Sequence, residues 1–199
     1  MIFELLIGSA KRELTLPEVI DIIIHRNKGI QAFWSSSHEW ASTAAADVLN
    51  EARLDWQVSL SYTLKRWLEV PDADDPEYDG ALILAWANLG ALTENTLKFF
   101  LSVYLDDYMT DQDAIKLRQK ILKPGDASFE ALRIFYYKKI WDDNNKKERN
   151  NAIQTIQQRR NGIHAFNNRD LAAFKEFHEA IFYYRDILEE LITRVPLPE

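Results

Sequence analysis

The sequence predicts an all-α protein, an antiparallel bundle of long helices forming a single domain over residues 1–199. Three observations lead there. Apolar residues recur at helical spacing over several long stretches, strand signals are almost absent, and clusters of proline, glycine and acidic residues punctuate the helical stretches. A chain of 199 residues can bury one substantial core. Its hydrophobic fraction of 47% and charged fraction of 28% set aside disordered and fibrous classes.

Taken in order, residues 1–16 are ambiguous, an apolar start followed by Lys11-Arg12-Glu13. Thr15-Leu16-Pro17-Glu18 then reads as a helix start, with Thr15 as cap and Pro17 in the first turn. The β-branched run Val19 to Ile24 also permits a short strand; helix is the reading adopted. From Ser37 to Glu69, Trp40, Ala44, Val48, Ala52, Trp56, Leu60, Leu64 and Leu68 recur every four residues, which predicts a long amphipathic helix with room for one break. Val70 to Gly80 ends it with two prolines, a glycine and a knot of acids. Calcium binding there is disfavoured, because Pro76 occupies a position where an EF-hand loop needs an oxygen ligand.

Ala81 to Tyr108 carries a broad apolar face and is the best candidate for a central helix. Residues 110–122 read as a shorter basic helix, stopped by Lys123-Pro124-Gly125. Ser128 can cap a helix running through Trp141. Asp142 to Asn151 is polar all round, and Ile153 and Ile156 restore an apolar side. Asn167-Asn168-Arg169-Asp170 reads as a turn, and Leu171 to Val195 as a closing amphipathic helix stopped by Pro196 and Pro198.

The formal net charge is −7, but it is unevenly distributed. Ile115 to Arg169 holds 13 Lys+Arg against 5 Asp+Glu, a net of +8, leaving −15 for the remainder. Such segregation can steer a polyanion to one face, or it can reflect solvated helix faces that do not coalesce. No apolar stretch approaches a membrane span, and the start lacks the basic region of a secretory signal, so the expectation is a cytoplasmic protein with no membrane partner. The absence of cysteine excludes disulfides and cysteine-ligated zinc.

The sharpest motif is Arg159-Arg160-Asn161-Gly162-Ile163-His164. Arginine stays protonated and offers a planar fork matched to phosphate oxygens. Histidine, with an unperturbed pKa of roughly 6.5, can move protons near neutral pH. On an unbroken helix Arg160 and His164 share a face and Arg159 points away. A bend at Gly162 would instead favour the five-residue step from Arg159. The alternative is two solvated helix-end cations and a histidine satisfied by a nearby carbonyl.

This stretch resembles the HEPN superfamily, whose pattern is an arginine, four to six intervening residues and a histidine, usually with a polar residue such as Asn after the arginine. Arg159 to His164 has the spacing, whereas Asn161 follows Arg160, so both arginines stand as candidates. The resemblance implies a helical bundle and a metal-independent endoribonuclease in which a ribose 2′-hydroxyl attacks the adjacent phosphorus. It implies roles for Arg159, Arg160, Asn161 and His164, and, through an acidic position on an earlier core helix, for Glu94. Many family members are toxins or antiviral effectors, so the implied partners are RNA, a second copy of the chain facing it across a two-fold axis, and an antitoxin or regulatory protein. Neither a cofactor nor a metal is expected. The competing function classes are a non-catalytic module binding RNA, nucleotide or protein through the same groove, and a plain interaction bundle.

Other features are weaker. His25 and His38 lack partners at metal-ligand spacing, and His178, beside Phe174, Phe177 and Ile181, reads as a packed histidine. The six tryptophans fall mostly at core periodicity. Arg26 to Phe33 echoes Arg160 to Phe166 imperfectly, with Gln31 in place of His164.

Overall fold

Helix α1 (Leu16–Trp34) begins where the Thr15 backbone N–H and hydroxyl both donate to the Glu18 carboxylate, at 2.8 and 2.7 Å. The β-branched run is helical because Val19, Ile20, Ile23, Ile24, Ile30 and Trp34 lie on one buried face, so tertiary burial overrides strand propensity. This computed structural model describes residues 14–164 and 170–196. Of the predicted turn Asn167-Asn168-Arg169-Asp170, all but Asp170 lies outside the described residues, as does the ambiguous start up to residue 13.

The long helix expected over 37–69 is three pieces: α2 (Thr43–Glu51), α3 (Leu54–Thr63) and a 3-10 segment at Leu64–Leu68. Apolar residues four apart drift about 40° around a helix per step, so eight of them wrap most of a cylinder and cannot face one core. The chain breaks at Ala52 and Arg53, which leave helical geometry, and re-aims. Ala45, Ala46, Leu49, Leu54 and Gln57 become buried, while Trp40 and Trp56 of the predicted stripe are exposed.

Helix α4 (Tyr78–Val103) is the central element, buried on several sides by Leu82, Trp86, Leu89, Leu92, Leu97 and Phe100. It packs on α2, α3, α7 and α8. After the short α5 (Leu105–Thr110), the predicted basic helix is instead a hairpin, β1 (Lys116–Leu117) antiparallel to β2 (Lys120–Ile121). The Asp111 side chain accepts from the Asp113 N–H at 2.7 Å and turns the chain out of α5. Tyr108 then donates to the Leu122 carbonyl at 2.9 Å and closes the hairpin onto the bundle. The hairpin leaves Leu117 61% exposed and Ala114 buried.

Ser128 accepts from the Ala131 N–H and caps α6 (Phe129–Lys139), as expected. Helix α7 (Lys146–Arg160) buries only Ile153 and Ile156 and passes into a 3-10 turn at Asn161–Ile163. Helix α8 (Phe174–Ile192) starts three residues later than predicted, because Ala172 takes a positive φ of 54° and Ala173 is extended. α8 packs on α1, α4 and α7, completing an all-α bundle. At its centre the fully buried Tyr184 hydroxyl meets Thr96 and Gln57, and burial pushes its phenol up to about 12. Among the described residues no helix is long and apolar enough to cross a membrane.

Candidate functional site

The site is built where the end of α7 lies on the middle of α4. Gly90, buried on α4, forms a notch. A Cβ there would stand 2.6 Å from the Arg160 Cβ and closer still to its Cγ, so the Arg160 stem fills space that only glycine leaves. From that notch the guanidinium reaches one turn along α4, where Nη2 donates to Glu94 Oε2 at 3.2 Å. The second Glu94 oxygen holds Lys98 Nζ at 2.9 Å. Arg160 Nη1 also lies 3.4 Å from Asn161 Oδ1.

Two cations around one carboxylate leave the trio with a net +1. Glu94 is 14% exposed and Arg160 37%, so the acid is mostly inside and the guanidinium partly outside. An arginine has five N–H donors, and Glu94 and Asn161 engage two of them. The remaining donors are available to an anion arriving from solvent.

Helical geometry stops at Arg160, so Arg160 and His164 do not share a helix face. His164 instead ends the 3-10 turn, its N–H donating to the Asn161 carbonyl at 3.2 Å. Gly162 permits the tight passage: a Cβ on it would meet Leu171 Cδ2 at 2.5 Å. His164 and Ile163 are exposed, and the His164 ring has no partner among the described residues.

Arg159 goes elsewhere. Its guanidinium lies over the Trp86 ring, 4.9 Å from the centroid, and lines a groove of about 400 Å³ between α7 and α8 beside Glu148, Glu176 and Glu179. That acidic surround is unsuited to phosphate. Of the five residues singled out in the sequence, the fold thus brings Glu94, Arg160 and Asn161 together, sets His164 on the adjoining turn, and turns Arg159 away.

Gly90 and Lys98 were not singled out. Both left a trace: glycine inside a helix costs roughly 0.5–1 kcal/mol against alanine and asks for a packing reason, and Lys98 stands four residues after Glu94.

The basic stretch does not survive as an uninterrupted patch. Lys139 pairs with Asp111, Arg149 with Glu190 and Arg160 with Glu94, all acids from outside it, while Arg133 and Lys146 pair with Glu130 and Asp143 within it. His178 is packed as expected, its Nε2 2.8 Å from the Trp67 carbonyl oxygen, and His38 lies 3.1 Å from Asp47. Among the described residues no three His, Asp or Glu side chains group as a metal site. Comparison with protein-family models, with curated proteins and with solved structures finds no match to this chain.

Proposed function

We propose that the chain is an endoribonuclease that cleaves RNA without a metal, by attack of a ribose 2′-hydroxyl on the neighbouring phosphorus. The observation that carries this reading is the Arg160–Glu94 pair set into the Gly90 notch, with His164 exposed on the turn that follows. Charge developing on the phosphoryl oxygens calls for a fixed cation. Arg160 supplies one whose stem is held by packing and whose head is held by Glu94, so little reorganisation accompanies the reaction. His164 supplies an imidazole to accept the 2′ proton or to protonate the 5′-oxygen leaving group. The phosphorus–5′-oxygen bond breaks as the 2′-oxygen–phosphorus bond forms, giving a 2′,3′-cyclic phosphate and a 5′-hydroxyl.

Arg160, not Arg159, is the motif arginine in this reading, and Asn161 Oδ1 lies 3.4 Å from its guanidinium. One His164 provides one proton-transfer group, so two copies facing across a two-fold axis supply the second. The exposed Ile163 beside His164 gives such a contact an apolar residue. A toxin or defence effector restrained by an antitoxin or other protein is the biological setting proposed.

The test is cleavage of labelled tRNA and mRNA in excess EDTA by wild type, Arg160→Ala, His164→Ala and Arg159→Ala. Wild type and Arg159→Ala are expected to cut, and the other two to lose at least a hundredfold in rate, the scale of removing one oxyanion donor. Equal loss in Arg159→Ala and Arg160→Ala would undo the assignment of Arg160. RNA binding without cleavage by any form would favour the non-catalytic module.

A further inference from the structure

A second groove, of about 440 Å³, opens between α2, α3, α4 and the turn at Pro124–Asp126, within the roughly 300–1,000 Å³ of small-ligand sites. Its walls are mostly aliphatic, with Leu49, Leu54, Leu60 and Phe99 beneath. Trp56 stands at its edge, 58% exposed, an unusual position for the largest apolar side chain. The ring is nonetheless held. The Arg53 guanidinium lies over one face, 4.1 Å from the centroid, and is itself clamped by Asp55 through two bonds of 2.8 and 2.5 Å. Arg53 lines the groove together with Trp56, so the ring and its cation stand side by side at this site.

The groove and the site described above share Lys98. Lys98, the residue that holds the second oxygen of Glu94, lines it, one helical turn or about 6 Å along α4 from Glu94. Asn95, exposed on the same turn, offers an amide to a ring edge, and Lys123 adds an exposed cation across the groove. Glu51 and Asp126 stand nearby and disfavour a run of bare phosphates. The groove therefore suits a planar ring entering with one phosphate at the lysines, and not the backbone of a duplex.

We infer that this groove binds one unstacked nucleotide of a single-stranded RNA, its base on Trp56, its edge at Asn95 and its phosphate between Lys98 and Lys123, while the adjoining strand crosses Arg160 and His164. The assignment rests on the ribonuclease reading for its choice of ligand. It makes single-stranded RNA the substrate class, because a paired base cannot leave its stack to reach Trp56 without the cost of unpairing.

The experiment measures binding of a fluorescein-labelled, ten-nucleotide 2′-O-methyl oligonucleotide, which cannot be cut, by anisotropy at several salt concentrations. Wild type is expected to bind it and to bind the matching duplex at least tenfold more weakly. Trp56→Ala should lose about tenfold in affinity and Trp56→Phe should recover most of it, as stacking requires. Lys123→Ala should lower the salt slope by about 0.7, the value for one phosphate on a single strand. Both side chains are exposed, so circular dichroism should match wild type.

Binding within twofold of wild type in both Trp56→Ala and Lys123→Ala overturns the inference, as does absence of binding by wild type. Displacement of a bound fluorescent nucleotide by free 5′-AMP, with no binding of the strand, would replace the strand by a mononucleotide and also overturns it. Trp56-dependent strand binding without cleavage would leave this inference standing and count against the ribonuclease reading. Cleavage indifferent to Trp56 would do the reverse.

Discussion

At the scale of single residues, the candidate site depends on what Gly90 lacks. Its missing side chain lets the Arg160 stem lie against α4, and that placement brings the guanidinium to Glu94. Gly90→Ala should displace Arg160 near its root, where the chain cannot swing clear. Cleavage should fall on the order of a hundredfold, as for a misplacement of about 1 Å. Stability should fall by about 0–2.5 kcal/mol, since a helix-propensity gain of roughly 0.5–1 kcal/mol offsets only part of an overpacking cost of roughly 1–3 kcal/mol. Cleavage rate and melting temperature measured together check this: a variant that melts like wild type and cuts like wild type would remove Gly90 from the account. Gly162→Ala should be milder, because the atom in its way is the end of the flexible Leu171 side chain.

Among the elements, the ones with firm punctuation were legible. Thr15 with Glu18, Pro17, Ser128 and the prolines after Val70 mark ends by local hydrogen bonding and sterics, which do not need the rest of the molecule. The period-four stripe of 40–68 misled because a pattern close to, but not equal to, the helical repeat can be satisfied by breaking the helix. The hairpin at 116–121 was hidden for another reason. Its two-residue turn, Arg118-Gln119, takes φ of 47° and 69° without the asparagine or glycine that signals such a turn. Replacing Arg118-Gln119 by Asn-Gly should relieve that strain, adding about 1 kcal/mol of stability and about 3 °C to the melting temperature. A calorimetric scan showing a lower melting temperature would contradict the turn geometry.

At the scale of the whole molecule, the helical bundle could be read from the sequence while the site could be read only in pieces. Arg160 and Glu94 are 66 residues apart and neither spacing nor charge connects them, so only the family resemblance suggested pairing them. The direction of Arg159 depends on where Trp86 sits, a tertiary fact that the adjacent arginines do not carry. The charge segregation of the sequence is offset in part by folding, because Asp111, Glu94 and Glu190 meet Lys139, Arg160 and Arg149. In the basic stretch, exposed cations without an ion pair among the described residues remain at Lys116, Arg118, Lys120 and Lys123, on and beside the hairpin, and at Lys138 and Lys147, while Arg160 and Lys98 share Glu94; such charge can steer a polyanion. A second copy is needed if two imidazoles act on one phosphate. Sedimentation equilibrium at micromolar concentration should give a dimer, and Ile163→Asp should give a monomer that cuts poorly; a wild-type monomer that cuts at full rate would exclude a shared site.

The most direct measurement is the chemistry of the ends produced from RNA in excess EDTA by wild type and by His164→Ala matched to it in circular dichroism. Wild type should give fragments with 2′,3′-cyclic phosphate and 5′-hydroxyl ends, and His164→Ala none. Fragments bearing 5′-phosphates, or the same cyclic ends at the same rate from both proteins, would contradict the proposed mechanism.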